Sequence, residues 1–136
     1  MQEEQQTLAA MQQEVDDYIQ QFKAGYFSPL ALMARITEEV GELAREVNHT
    51  YGEKQKKATE APNSVAEELG DVLINTIIMA NALEIDLTSV FEQNMTKFQR
   101  RDHYRFERID GRTKDEERQF EINSITIRIS KRTSSA

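Results

Sequence analysis

Cysteine and tryptophan are absent from the 136 residues, and histidine occurs only twice. Without cysteine there is neither a disulfide nor a thiolate zinc site, and nothing points to an oxidising compartment. With His49 and His103 as the whole imidazole supply, zinc and copper lack their usual ligands. Basic residues are also in deficit, 17 against 24 acidic ones, for a net charge of −7. That balance argues against a nucleic-acid binder or a membrane-surface binder, since both need a basic footprint. A long apolar run is missing from residues 1–20, where Glu3, Glu4, Glu14, Asp16 and Asp17 exclude a signal peptide or a membrane span. The expectation is a cytoplasmic protein whose partners are metals or small molecules.

What is present suits one domain, because 38% apolar content over this length is enough for a single core. The charge is uneven. Residues 1–101 hold nine basic and seventeen acidic side chains, residues 102–136 eight and seven. We therefore expect a domain over residues 1–108 and a C-terminal extension over 109–136.

Leu8, Met11, Val15, Tyr18, Ile19 and Phe22 recur at helical spacing and predict a first helix over residues 7–22, ending near Gly25. Tyr26 and Phe27 form a connector. Ser28-Pro29 then signals a helix start, since serine caps free amides and proline fits the first helical position. The second helix, residues 29–48, carries an apolar stripe of Met33, Ile36, Val40, Leu43 and Val47. Beside it runs a stripe of Glu39, Glu42 and Glu46, with Arg35 one turn above and Glu38 at its far edge. Residues 49–63 lack apolar periodicity and read as a mobile loop, in which Lys54, Lys56 and Lys57 form either a lid over phosphates or a solvated run.

Ser64-Val65-Ala66-Glu67 matches a capping box and opens a third helix over residues 65–83. This helix is apolar almost all round and is expected to be the buried central element, with Glu68, Asp71 and Asn75 together on one inward side. A fourth helix over residues 86–101 places Leu87, Val90, Phe91, Met95 and Phe98 inward and Asn94, Lys97 and Arg101 on one polar stripe. Asp110-Gly111 signals a turn. Ile122, Ile125, Ile127 and Ile129 alternate imperfectly with polar residues, a weak strand signal that leaves the extension as either a hairpin or a loose tail. The pattern is an all-α, four-helix bundle. One layer of four helices covers one side of the third helix only, so completion by oligomerisation is expected, as a homodimer or a dimer of dimers.

Acidic residues one turn apart on an exposed helix cost only about 0.2–0.5 kcal/mol per pair. Burial changes the comparison, because two carboxylates at about 5 Å and an effective dielectric of about 20 repel by roughly 3 kcal/mol. A buried group of this kind takes up protons or binds cations. The residues alone leave open a hard-cation site and a structural network.

Glu38-Glu39-x-x-Glu42, a variable spacer and Glu68-x-x-Asp71 resemble the signature of the MazG-like, all-α nucleoside triphosphate pyrophosphohydrolases. The flanks are similar too: Gly-Glu-Leu after the first acids, Glu-Leu-Gly-Asp-Val-Leu around the second, and Asn94, Lys97 and Arg101 in Asn-x-x-Lys-x-x-x-Arg. The resemblance spans about residues 7–108. It implies Mg²⁺, with Mn²⁺ as a substitute, held by Glu39, Glu42, Glu68 and Asp71, with Glu38 as a further ligand or the group that orients water, so that Glu38 and Glu39 are the catalytic candidates. It implies hydrolysis of a nucleoside triphosphate to the monophosphate and pyrophosphate, in nucleotide-pool house-cleaning. Lys97 and Arg101 become candidates for phosphate contact, Asn75 and Asn94 for hydrogen bonds to substrate, and Tyr26 for a base contact. Two competing readings are a helical binding module without catalysis, and hydrolysis of phosphoribosyl-ATP on a related scaffold.

Overall fold

The computed structural model describes residues 5–53, 55–60 and 63–133. Glu3, Glu4, Lys54, Pro62 and the last three residues of the tail lie outside that set. Five helices follow one another, α1 Leu8–Ile19, α2 Pro29–Tyr51, α3 Val65–Ala82, α4 Leu87–Asp102 and α5 Lys114–Thr133, and the described residues contain no strand. The chain divides into two compact units, one ending at Phe91 and the other starting at Glu92.

The starts of the first three helices form for the reasons their sequences suggest. Thr7 and Ser28 each accept the amide three residues on, and Pro29 takes the first helical position. At Ser64 the capping box is complete: its Oγ accepts from the Glu67 amide at 3.1 Å, and Glu67 accepts from the Ser64 amide at 2.6 Å. The end of α3 is closed by a Schellman motif, with Glu84 in the left-handed region at φ 55° and bonds from Ile85 N to Ala80 O and from Glu84 N to Asn81 O.

In the first unit α3 packs against α2 on one side and α1 on another. One polar side chain from α1 joins three segments. Gln12 donates to Asn81 Oδ1 at 2.9 Å and to the Ile85 carbonyl at 2.8 Å, and its Oε1 accepts from the Leu87 amide at 2.9 Å. Asn81 returns a bond to the Gln12 carbonyl. The end of α3 and the start of α4 are thereby fixed to α1.

Three sequence expectations need correction. The α2 face turned to α3 is the acidic stripe: Leu32, Glu39 and Glu46 are buried, whereas Met33, Val40 and Val47 are 51%, 47% and 40% exposed. A rotation of about 100° separates the two rows, and the seam with α3 takes the acids. The central helix is only partly enclosed, since Ile77 and Ala80 are buried but Leu69, Leu73 and Ile74 remain exposed. Finally, the C-terminal isoleucines belong to neither a hairpin nor a loose tail but to α5. Ile122, Ile125 and Ile129 recur at helical spacing, Asp115, Glu116 and Glu117 occupy the first turn, and Lys131 and Arg132 the last, all favourable to the helix dipole. The turn before it stands as expected, with Gly111 at φ 70° and Arg108 paired to Asp110 at 2.9 Å.

The Gln12 cluster carries a stability prediction. Gln12→Ala removes the side-chain partner of the Leu87 amide, the Ile85 carbonyl and Asn81 Oδ1, and should lower unfolding free energy by about 1–3 kcal/mol in urea titrations. Gln13→Ala, which removes one exposed bond to Asp17, should change it by less than about 0.5 kcal/mol.

Candidate metal centre

Helical spacing on α2 places Glu39, Glu42 and Glu46 one turn apart, and packing against α3 sets Glu68 opposite them. Glu39 and Glu68 are buried, at 8% and 2% exposure, and Glu42 is half-buried. One carboxylate oxygen from each of Glu39, Glu42 and Glu68 lies within 4.8 Å of the others. Asp71, the fourth acid expected here, is exposed, yet its charge reaches Glu39.

The electrostatics follow from burial. Desolvation, the Asp71 and Glu42 charges and a smaller push from Glu38 raise the Glu39 pKa, with Arg35 at 3.6 Å opposing them. Glu38 itself stays exposed at the outer edge of the row. On Glu68, Oε1 accepts from Asn63 Nδ2 at 2.7 Å, while Oε2 is buried without a hydrogen-bond partner. An orphaned buried carboxylate oxygen beside two further carboxylates is a donor set suited to a hard, oxygen-preferring cation. The residues present therefore fit a divalent ion held by Glu39, Glu42 and Glu68.

The remaining expected residues are placed as follows. Asn75 is buried, and its amide donates to the Asp71 carbonyl one turn back at 2.8 Å. The Tyr26 hydroxyl donates to Asp16 Oδ1 at 2.6 Å, and burial together with that carboxylate raises its pKa. In the second unit, Arg101 makes a bidentate pair with Asp102 at 2.8 Å and holds the Asp102 carboxyl down to about 2. Lys97 and Arg101 both lie over the Phe98 ring, at 5.6 and 5.1 Å. Asn94, half-buried, shares that helix.

Sequence reasoning missed a second buried group next to the acids. The helix α2 runs on to Tyr51, so His49 stands on it one turn after Glu46, with its ring almost wholly buried. Nδ1 faces Glu46 at 3.6 Å and Nε2 faces Glu60 at 3.7 Å. Lys56 binds Glu46 at 2.9 Å, and that ammonium, helped by His49 and opposed by burial, lowers the Glu46 pKa. A cavity of about 250 Å³ joins this group to Glu42 and Glu68. The only sequence trace was the helical spacing of Glu46 and His49. The described part of the expected mobile loop is thus tied down by charge.

Comparison with known proteins agrees with this geometry. The MazG nucleotide pyrophosphohydrolase domain matches residues 27–106, which include both acidic motifs. The uncharacterised protein YpjD of Bacillus subtilis (strain 168) is 59% identical over 102 residues, covering 75% of this chain and 92% of the relative. The crystal structure of YPJD from Bacillus subtilis is similar at 58% identity and a TM-score of 0.64, covering 71% of this chain and 98% of that one. That of the Bacillus-conserved MazG protein, a nucleotide pyrophosphohydrolase, is similar at 57% identity and 0.62, covering 75% and 97%. With its helices, its paired acidic motifs and these relatives in agreement, the chain belongs to the MazG nucleotide pyrophosphohydrolase family.

Proposed function

We propose that the protein is a Mg²⁺-dependent hydrolase that converts a nucleoside or deoxynucleoside triphosphate to its monophosphate and pyrophosphate, in a house-cleaning role. The observation that carries this reading is the all-carboxylate triad of buried Glu39 and Glu68 with half-buried Glu42, in which Glu68 Oε2 is left without a partner. Glu39, Glu42 and Glu68 would hold the ion, with Asp71 completing the set. A bound divalent ion offsets phosphate charge and makes water more acidic. Water adds across the anhydride between the α and β phosphates, the bridging bond breaks, and pyrophosphate leaves. Glu38, exposed beside Glu39 on α2, would orient that water and accept its proton. Asn75, Asn94, Lys97, Arg101 and Tyr26 are the proposed substrate contacts. The metal-free pocket, rich in carboxylates, repels a polyanion, so the substrate binds only when the site is loaded with metal.

Exposed apolar rows on α2 and α3 support self-association as a homodimer or a dimer of dimers. The net charge of −7 supports neither nucleic acid nor an anionic membrane as partner. Among the described residues no single helix is long and apolar enough to cross a membrane. A cytoplasmic location is the proposal consistent with these features.

Three measurements test this reading. Pure protein with Mg²⁺ should release pyrophosphate from at least one of a panel of common and modified nucleoside triphosphates and lose the activity in EDTA, whereas release from phosphoribosyl-ATP alone would favour the competing enzyme reading. No release from any of them refutes the function. Glu39→Gln tests the centre itself. The raised Glu39 pKa means that the native state holds this proton more tightly than the unfolded chain, so the contribution of Glu39 to metal-free stability is greatest below the ordinary value of 4.5 and declines as pH rises through the raised one. The glutamine variant should flatten that decline, raise the metal-free Tm at neutral pH by about 2–5 °C, and lose the Tm increase that Mg²⁺ gives the parent. An unchanged Mg²⁺ response would favour a binding module. Light scattering at micromolar concentration should give a dimer or larger, and a monomer contradicts the assembly.

A further inference from the structure

Between the two acidic motifs, the described loop residues touch both helices that carry the triad. Lys56 Nζ binds Glu46 Oε2 on α2 at 2.9 Å and the Asn63 carbonyl at 3.1 Å. Asn63 in turn donates from its side chain to Glu68 Oε1 on α3 at 2.7 Å. The anchor is buried, since Glu46 is 6% exposed and is flanked on its other oxygen by His49. A continuous polar chain therefore runs from α2 through the loop to one oxygen of Glu68, and the other oxygen, Oε2, is the one left buried and unpartnered.

We infer that Asn63, held in place by Lys56 and Glu46, is a positioning residue for the metal centre: it fixes the Glu68 carboxylate so that Oε2 points to the cation. The inference rests on the metal reading proposed above. A carboxylate with both oxygens free turns about its last torsion and presents either oxygen, whereas a donor on Oε1 selects one orientation in advance. The amide of Asn63 suits the task because it donates without carrying charge, and so orients the ligand without competing with the cation for the site. Lys56 does carry charge, but it is spent on Glu46. The consequence is a sign that separates positioning from electrostatics. If charge alone mattered, removing the Lys56 ammonium near three carboxylates would tighten binding of a divalent cation. If Lys56 acts through Asn63, its removal weakens binding, because the loop loses its anchor.

The test uses the full-length protein without nucleotide and Mn²⁺ as probe, with the dissociation constant measured by calorimetry and by electron paramagnetic resonance. Asn63→Ala should weaken Mn²⁺ binding about 10–100-fold, a span typical of lost partners behind metal ligands, with the metal-free Tm within about 2 °C of the parent. Lys56→Met should weaken it as well, and Lys56→Arg, which keeps a donor to both Glu46 and the Asn63 carbonyl, should restore most of it. Saturating Mn²⁺ should recover kcat in Asn63→Ala, so that the defect lies in the metal dependence. A merely structural role would instead lower the metal-free Tm and kcat together, against the inference. Parent-like Mn²⁺ affinity in both Asn63→Ala and Lys56→Met, while Glu68→Gln abolishes binding, overturns the positioning role and leaves the metal centre standing. Unchanged affinity in Glu68→Gln overturns both. Should Asn63→Ala fail to fold, the pair Lys56→Met and Lys56→Arg decides by the sign of the change.

Discussion

A row of carboxylates pressed against an apolar helix is the constraint on which the first unit depends. Glu39, Glu46 and Glu68 are buried where α2 meets α3, and each loses hydration that a surface acid keeps. At one end the chain compensates internally: Lys56 binds Glu46, and His49 sits between Glu46 and Glu60. At the other end compensation is partial. Arg35 approaches Glu39 only to 3.6 Å and Arg45 approaches Glu42 only to 3.8 Å, while Glu39, Glu42 and Glu68 gather their oxygens together. The seam is thus neutralised over part of its length and left electron-rich over the rest. That imbalance makes the triad suitable for a cation and costs the metal-free fold stability.

Turning the acids inward has a second effect on α2. The apolar row of Met33, Val40 and Val47 faces outward, while on α3 Leu69, Leu73 and Ile74 remain exposed. Among the described residues, fully buried apolar side chains are confined to a thin centre, Leu32, Ile77 and Ala80. Hydrogen bonds consequently do much of the joining between helices. The three bonds made by the Gln12 side chain tie α1 to the end of α3 and the start of α4.

Much of this was legible in the residue pattern, for identifiable reasons. Helix starts depend on side chains within three residues of each other, so Thr7, Ser28-Pro29 and the Ser64 to Glu67 box could be read directly. The pairing of Glu39 and Glu42 with Glu68 was legible because two acidic motifs at fixed internal spacing carry a family resemblance. The direction of α2 was not. Its apolar and acidic rows differ by one residue step, and only contact with α3 distinguishes the buried one. Likewise, Ile122, Ile125, Ile127 and Ile129 combine spacings of two and three that fit a strand and a helix equally poorly, and the charged first and last turns of α5 had to be weighed to separate them.

By itself, then, the sequence determined an all-α chain with capped helices, a net acidic charge and two acidic motifs that carry a resemblance to a hydrolase family, because each of these rests on composition, local spacing or a family signature. Only the tertiary structure decided that Glu39 and Glu68 are buried while Asp71 is not, that Glu68 Oε1 is engaged by Asn63 while Oε2 is free, and that Lys56 serves Glu46. The physical reason is that burial and hydrogen-bond partnership belong to pairs of residues distant in the chain. Their magnitude is set by how α2, α3 and the intervening loop come together, which no single stretch of sequence contains.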